Sequence, residues 1–472
     1  MAVDNPLFGS SPAHGSSSLS ERWSRINVFR HRPFRLKQLV LLIATFTICC
    51  SYAFFSRHES GDQLHSWSAE DDYVPPMPAA HVLKHGHGGL RSPASHARPM
   101  QISDGNPLDN PAVSATAEPI VFSFIMFSED SANEGAILIK SILMYTSKPV
   151  EFHIICDEPA KAYLEGRLRL VKQPTHDITV RFYLLSWSAM LARIEREGTI
   201  TSDHSAGTPG LMKLFIHEIL PASVPRVIYI DTDALFISDP ALLWDVFSHL
   251  KPRTALAIPT HPDQHAPQWN HANRICSCIM LLDLARLRAL RLMRSSADPD
   301  PAPPALGPQA FEAMYGGPGE DGHFRDVKLG DQGYWWAIVS HRPDVVEHLP
   351  LAWEVSSCLM DMYATGLGED DMSEERQLAM QVHIEDTPED GRAVLPKMLH
   401  FNCLDGTPHY YEWEGWADPT NRLTQRWWPA VQYHVGFKWI WLNAHRPMGT
   451  LKIETVETVV FADERASRQA ES

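Results

Sequence analysis

Two aspartates separated by one residue, Asp231 and Asp233, have the type and spacing needed to hold a divalent cation. An apolar run at 227–230 precedes them and a second apolar run follows at 235–237. Because a turn at a strand end lets both carboxylates converge, the pair predicts two oxygen ligands for a hard cation, which in turn would neutralise a nucleotide diphosphate. The same spacing also occurs in ordinary turns and helix caps, so the surrounding elements decide its meaning.

Those surrounding elements predict a nucleotide-binding α/β sheet. Continuous apolar runs at 120–127 and 151–156 are typical of strands buried on both faces, and a capping pattern at Ser131 starts a helix between them. Strand, helix and strand in this order require a right-handed crossover between parallel strands. Ligands bind beyond the carboxyl ends of such strands, which is where the aspartate pair lies. Further elements are predicted downstream: a strand at 178–185, a helix at 208–220 and a strand at 226–230.

Two stretches lack the periodicity of helices or strands. Residues 295–323 are rich in Pro and Gly, and residues 361–396 are acidic with few apolar side chains. We predict that both are long surface loops, the kind of segment that forms variable binding sites.

The N-terminal part of the chain predicts a membrane anchor and a stem. Residues 39–55 are uncharged and apolar, near the lower limit of length for a bilayer-spanning helix. Basic residues precede this segment and acidic residues follow it, which places residues 1–38 in the cytosol. A cleaved secretory signal is the alternative. Residues 56–118 are predicted to be a disordered stem, followed by a folded domain at 119–447 and a C-terminal tail at 448–472.

Charge and cysteine content exclude other classes of protein. The formal net charge of -16 argues against nucleic-acid binding, which needs a basic surface. Cys49 and Cys50 lie in the apolar segment, and the other cysteines form no repeated metal-binding spacing. Cys276 and Cys278 would need partners elsewhere in the chain to make a zinc site. One or two disulfides are compatible with the composition but are not assigned by it.

Residues 211–247, which include the aspartate pair, resemble the central part of glycosyltransferase family 8. The nearest likeness is to the xylosyltransferase domain of the bifunctional dystroglycan-modifying enzymes, and the resemblance extends over residues 120–447. It implies a GT-A fold with a mixed, mostly parallel sheet flanked by helices. It also implies a UDP-sugar donor, Mn²⁺ or another divalent cation, and retention of anomeric configuration.

The resemblance also implies roles for the residues that would bind the donor. It places Asp231, Thr232 and Asp233 at the diphosphate, with both carboxylates as metal ligands. Lys213 matches a basic residue that contacts the donor. His400, in the segment Lys397-Met-Leu-His-Phe, matches a histidine that completes the metal shell; a merely structural histidine is the alternative interpretation.

Asp331 and Gln332 match the segment that lies beside the transferred sugar, and are the predicted catalytic residues. A carboxylate there would orient sugar hydroxyls or stabilise positive charge on the sugar. Without the resemblance, Asp331 would equally be interpreted as the cap of the following helix.

The chain departs from the family pattern at two places. The segment after His400 lacks the lysine that contacts the donor phosphate, and residues 275–281 replace the Asn-x-Gly strand that frames the sugar. These departures leave the identity of the donor sugar open.

These features predict a retaining, metal-dependent glycosyltransferase that moves a hexose or pentose from a UDP-sugar to a glycan or glycoprotein hydroxyl. Its predicted location is the Golgi membrane, as a single-pass type II protein with a luminal catalytic domain. One alternative is an inactive carbohydrate-binding or scaffolding protein of the same fold. A metal-dependent phosphotransferase or phosphatase is a further alternative, although the chain has no Gly-rich phosphate loop.

Overall fold

The computed structural model describes residues 118–201, 204, 206–262, 264–299, 304–357, 386–390, 392, 394–404 and 409–470. All of them belong to the unit Gly105–Ser472. The predicted cytosolic tail at 1–38, the anchor at 39–55 and nearly all of the stem at 56–118 lie outside the described residues. No helix among the described residues combines the length and the apolar character needed to cross a bilayer.

Eleven strands of the described residues form two sheets. The strands are β1 (Ile120–Met126), β2 (Val150–Cys156), β3 (Ile178–Leu184), β4 (Arg226–Ile230), β5 (Ala234–Phe236), β6 (Leu256–Ile258), β7 (Ile279–Asp283), β8 (Val346–His348), β9 (Val355–Ser356), β10 (Met398–His400) and β11 (Leu451–Val456). The large sheet has the order β11-β3-β2-β1-β4-β7-β6-β8, and the small sheet has the order β5-β10-β9.

The large sheet is mixed and mostly parallel, as predicted. Strand β7 is antiparallel to both of its neighbours, β4 and β6, whereas the other neighbouring pairs are parallel. Phe122, Phe124 and Phe152 are fully buried in the apolar cluster between this sheet and its helices. Burial on both faces explains why the central strands read as continuous apolar runs.

The helices are α1 (Glu129–Tyr145), α2 (Glu158–Leu168), α3 (Trp187–Glu197), α4 (Gly207–Leu211), α5 (Ile216–Ile219), α6 (Ala241–Trp244), α7 (Leu284–Ala289), α8 (Leu306–Tyr315), α9 (Asp331–His341), α10 (Arg422–Gly436) and α11 (Ala462–Ala470). Helix α1 begins earlier than the sequence predicted. Its N-cap is Ser128, whose hydroxyl accepts from the backbone N–H of Ser131, so Ser131 lies in the first turn and is not the cap.

The helix predicted at 208–220 is two short α-helices, α4 and α5, joined by a 3₁₀ turn at Met212–Phe215. The tighter turn contains Lys213, which is buried. The apolar side chains of this segment pack in a second apolar cluster, together with residues of β4 and β7.

Two of the three predicted irregular regions, 295–323 and 448–472, contain regular secondary structure. The stretch 295–323 is not only a loop, since it contains the ten-residue helix α8. Most of 361–396 lies outside the described residues. Residues 448–472, predicted as a tail, supply strand β11, which extends the large sheet beside β3, and helix α11, whose Asp463 accepts a hydrogen bond from Arg196 Nε at 2.7 Å.

The small sheet brings the late part of the chain to the aspartate pair. Strand β10 pairs antiparallel with β5, so that His400 lies opposite Ala234, the residue after Asp233. The backbone N–H of Phe401 donates to the carbonyl of Asp233 at 2.9 Å. These hydrogen bonds fix a histidine that is distant in sequence beside the predicted metal ligands.

Candidate functional site

The aspartate pair lies in the turn between β4 and β5 at the end of the large sheet. The backbone N–H of Asp231 donates to the carbonyl of Cys278 at 2.8 Å, which ties the turn to the start of β7. Both aspartate side chains are half-buried and line the same cleft. The position predicted for them, beyond the carboxyl end of a buried strand, agrees with this geometry.

Asp231 is held by a cation and by a phenol. Lys213 Nζ lies 2.9 Å from Asp231 Oδ1, and the hydroxyl of Tyr229 donates to the same oxygen at 2.5 Å. Lys213 Nζ also lies 3.3 Å from Asp331 Oδ2. Burial by itself lowers the pKa of Lys213, but the two carboxylates outweigh it and raise the pKa, so the lysine is charged. The structure therefore groups Lys213, Asp231 and Asp331, although Lys213 and Asp331 are more than a hundred positions apart in the sequence.

His400 lies between two carboxylates. Its Nε2 is 3.5 Å from Asp233 Oδ1, and its Nδ1 is 3.3 Å from Glu354 Oε1. The other oxygen of Glu354 is 2.9 Å from His261 Nε2. Burial opposes protonation of His400, but Asp233 and Glu354 outweigh it and raise its pKa to about 10. Burial likewise opposes ionisation of Asp233, yet the facing His400 lowers the pKa of this carboxyl.

Thr232, predicted to contact the donor, donates its hydroxyl to Glu134 Oε2 of α1 at 2.7 Å. It is absent from the cleft lining formed by the described residues. Burial, followed by the charge of Asp233, raises the pKa of Glu134 to about 8. Glu134 is therefore a further acidic group that responds to the charge of the aspartate pair.

Asp331 and Gln332 begin helix α9 and are both fixed by the segment before β7. Ser277 Oγ donates to Asp331 Oδ2 at 2.8 Å, and Gln332 Nε2 donates to the carbonyl of Ala272 at 2.9 Å. The N-cap residue of α9 is Gly330, and no side chain makes a capping hydrogen bond there. The alternative interpretation of Asp331 as the helix cap is therefore wrong. Burial raises the pKa of Asp331, against the effect of Lys213.

Of the side chains described above, all except Tyr229, Thr232 and Glu134 line one cleft, which has a volume of about 630 Å³. This is within the range of small-molecule and cofactor sites. Trp269, 41% exposed, lies on the same cleft and offers an aromatic face to a ligand. The predicted site residues that line it are Lys213, Asp231, Asp233, Asp331, Gln332 and His400.

The side chains at the end of this cleft fit a divalent cation. Asp231 and Asp233 supply carboxylate oxygens and His400 supplies an imidazole nitrogen, a donor set that suits Mn²⁺. Burial is the main cause of the raised pKa of Glu134, and the charge of Asp233 adds to it; a cation bound by Asp233 would oppose this second contribution. Glu354, which accepts from one imidazole nitrogen, is placed to orient the other toward a metal.

Sequence reasoning missed the residues that orient the predicted site. Tyr229 precedes the aspartate pair by two positions and was assigned only to the strand, while Glu134, His261 and Glu354 gave no signal. Tyr229 and Asp231 are two positions apart at the end of β4, and residues at this spacing in a strand lie on one face, so the spacing could have indicated that the two side chains are neighbours. The other three are joined to the site by contacts between distant segments.

Known proteins of similar sequence are glycosyltransferases by name. The chain is 28% identical over 245 residues to xylosyl- and glucuronyltransferase LARGE2 of Rattus norvegicus, covering 48% of this chain and 31% of the relative. It is 26% identical over 258 residues to xylosyl- and glucuronyltransferase LARGE1 of Danio rerio, covering 50% and 30%. The matched part thus spans about a third of these relatives. No protein-family model matches. The resemblance stated from the sequence is confirmed, and these relatives carry names of the enzyme class that it implied.

Two solved structures overlap this chain over most of their own length, at low TM-scores. Mouse xyloside xylosyltransferase 1 in its apo form has a TM-score of 0.42 and 17% identity, covering 61% of this chain and 99% of that one. The galactosyltransferase LgtC in complex with donor and acceptor sugar analogs has a TM-score of 0.41 and 13% identity, covering 67% and 94%.

Proposed function

We propose that this chain transfers a sugar from a UDP-sugar to a hydroxyl of a glycan or glycoprotein, using a divalent cation held by Asp231, Asp233 and His400. The observation that carries the proposal is the convergence of these three side chains with Lys213 in one cleft. Its position at the strand ends and the glycosyltransferase relatives support it.

A cation explains how a diphosphate binds among carboxylates. Asp231, Asp233, Asp331 and Glu354 all line the cleft, and without compensation they would repel a doubly charged donor. Bound Mn²⁺ supplies Lewis acidity, which stabilises charge on the departing UDP. Asp231 is kept in place for this role by the hydroxyl of Tyr229 and by Lys213.

The protein's own side chains bind and orient the donor. Lys213 carries a fixed positive charge that bridges the diphosphate side and the sugar side of the cleft, since it contacts both Asp231 and Asp331. Asp331 is buried and held by Ser277, so its carboxylate is preorganised to accept from sugar hydroxyls or to stabilise positive charge on the sugar. Gln332 is anchored by the 272–277 backbone and fixes the same wall.

The proposed stereochemical course is retention, and the proposed donors are UDP-xylose and UDP-glucuronate, after the names of the relatives. The proposed setting is the Golgi lumen, with residues 39–55 as a type II anchor. Acceptor binding is assigned to the open side of the cleft, where Trp269 offers a surface on which a sugar ring can stack.

The test is a donor screen with the full-length chain in detergent. UDP release and sugar transfer are measured for a panel of UDP-sugars with Mn²⁺, with a chelator, and with Mn²⁺ restored. We expect metal-dependent turnover with UDP-xylose or UDP-glucuronate, lost in Asp233→Asn and kept in Asp245→Asn, a control that changes an exposed aspartate paired with Lys148. The NMR coupling of the product's anomeric proton reports retention or inversion. Absence of turnover with every donor, while glycan binding persists, would favour the inactive carbohydrate-binding alternative.

A further inference from the structure

The wall of the cleft beside His400 contains a cysteine pair that the proposed transfer reaction does not use. Cys276 and Cys278 are buried just before β7 and form a disulfide with each other. They occupy the segment where the family pattern has its sugar-framing strand. Strand β7 begins only at Ile279, so the pair belongs to the turn that enters the sheet.

Two further metal-ligating groups face this pair. Cys276 Sγ is 3.8 Å from His400 Nδ1, and the same nitrogen is 3.3 Å from Glu354 Oε1. One ligand atom from each of Cys276, Cys278, Glu354 and His400 can be chosen so that all four lie within 4.8 Å of one another. All four residues are buried. The sequence left Cys276 and Cys278 without partners for zinc, and the fold supplies an imidazole and a carboxylate.

We propose that reduction of the Cys276–Cys278 disulfide creates a second metal site, formed by Cys276, Cys278, Glu354 and His400, for a thiophilic divalent ion such as Zn²⁺. Two sulfurs, one nitrogen and one oxygen are a donor set that zinc takes in tetrahedral coordination. Thiolates select soft ions, whereas the carboxylates of Asp231 and Asp233 select hard ones. The two sites therefore differ in the ion that they prefer.

The groups that would orient the ligands of this site are already in contact with them. Glu354 Oε2 is 2.9 Å from His261 Nε2, which leaves Oε1 for the ion. The other imidazole nitrogen of His400 points to Asp233 at 3.5 Å. His400 is thus common to both sites, through different nitrogens.

An external phosphine supplies the electrons that reduce the disulfide, and solvent accepts the protons that metal binding releases. A phosphine reductant breaks the S–S bond: phosphorus loses two electrons and takes the oxygen of water as phosphine oxide, and the two protons of that water end on the two sulfurs. On metal binding both thiols lose these protons to solvent. The disulfide form has no thiolates, so it cannot hold the ion in this way.

The test uses the full-length chain and Co²⁺, a spectroscopic substitute for zinc. The protein is reduced with a phosphine, freed of reductant by gel filtration without oxygen, and titrated with Co²⁺. We expect one equivalent with a thiolate-to-cobalt charge-transfer band and intense visible bands of tetrahedral cobalt. The oxidised chain should give neither, and it serves as a control that needs no mutation.

Variants identify the ligands. Cys276→Ala with Cys278→Ala should abolish the charge-transfer band, and Cys278→Ala alone should weaken it, since one of the two thiolate ligands is lost. Cys156→Ala is the matched control, because it removes a buried free thiol outside the cleft and should leave the band unchanged. Cys403→Ser controls for a further disulfide-bonded cysteine of the described residues that reduction releases, and it should also keep the band.

Two results would overturn the proposal: a reduced chain without the band, or a band that survives loss of both Cys276 and Cys278. Neither depends on glycosyl transfer, so the metal site and the proposed function fail separately. If the proposed function also holds, Zn²⁺ should inhibit Mn²⁺-dependent turnover of the reduced chain more strongly than that of the oxidised chain, because a cation on His400 Nδ1 repels a second cation on Nε2 of the same imidazole.

Discussion

Replacing Glu354 with glutamine tests whether this buried carboxylate orients the proposed metal ligand. Glu354 is 1% exposed and lies within hydrogen-bonding distance of two imidazoles, at 3.3 Å from His400 Nδ1 and 2.9 Å from His261 Nε2. Glutamine keeps the shape but has one acceptor oxygen. Its NH₂ group would face the N–H of one imidazole, so only one of the two hydrogen bonds can be kept.

The expected loss is in cation affinity. Removing the partner that orients a ligating histidine typically lowers metal affinity about 10–100-fold, which corresponds to about 1.4–2.7 kcal/mol. Removing the negative charge of Glu354 also affects cation binding, by changing the pKa of His400. Glu354 is one of the two carboxylates that raise the pKa of His400 to about 10, so Glu354→Gln should move this pKa downward and ease release of the competing proton. The affinity loss should therefore be largest at high pH, where the proton no longer competes.

The assay is titration of the full-length chain with Mn²⁺ in the presence of UDP, followed by the electron paramagnetic resonance signal of free Mn²⁺ at several pH values. Glu347→Gln is the matched control, because Glu347 accepts from Thr254 and from the Lys251 backbone and does not line the cleft. Equal Mn²⁺ affinity of Glu354→Gln and wild type across the pH range would refute the orienting role. Loss in both variants would point to general destabilisation.

Further predictions concern donor binding, stability and acceptor binding. Lys213→Met should raise the KM for the donor by about 10–100-fold, the value of a charge-assisted hydrogen bond, and an unchanged KM would contradict its assignment. Glu218→Gln leaves the guanidinium of Arg193 buried without its bidentate partner, and should lower the urea-unfolding free energy by about 3–5 kcal/mol. Burial lowers the pKa of His217 from 6.5 to about 3. As the pH falls, the unfolded chain therefore binds a proton at this histidine at a higher pH than the folded chain does. The contribution of buried, neutral His217 to the free energy of unfolding is complete above pH 6.5 and declines by about 1.4 kcal/mol per pH unit as the pH falls toward 3. His217→Asn should flatten this part of the plot of unfolding free energy against pH. Trp269→Ala should raise the acceptor KM while Trp269→Phe preserves it, and a change confined to the donor KM would exclude the stacking role.

Local patterns were sufficient where structure depends on near neighbours. The apolar runs predicted β1 to β4 to within a residue or two, because strands buried on both faces leave a continuous hydrophobic signal. The helix start was placed three residues late, since Ser131 and Ser128 are both cap formers and only the backbone geometry separates them. Helix α8 was not predicted, because it has only ten residues and lies within a stretch rich in Pro and Gly, so its apolar periodicity is too short to recognise.

The C-terminal boundary illustrates a different limit. Residues 451–456 form β11 at the sheet edge beside β3, although their sequence shows modest apolar character. Only half of an edge strand's surroundings are buried, so its hydrophobic signal is smaller than that of a central strand. Its pairing partner precedes it by more than two hundred residues, and no local pattern specifies that partner.

The sequence by itself determined that Asp231 and Asp233 follow a buried strand and that an α/β sheet places them at a ligand-binding edge. Only the tertiary structure decided which side chains surround them. Glu354, Cys276 and Cys278 meet at His400 because β10 inserts between β5 and β9, and because β7 runs antiparallel beside β4. Strand order is set by the packing of the whole sheet, so contacts across 46 or 124 positions leave no trace in the spacing of the residues that make them.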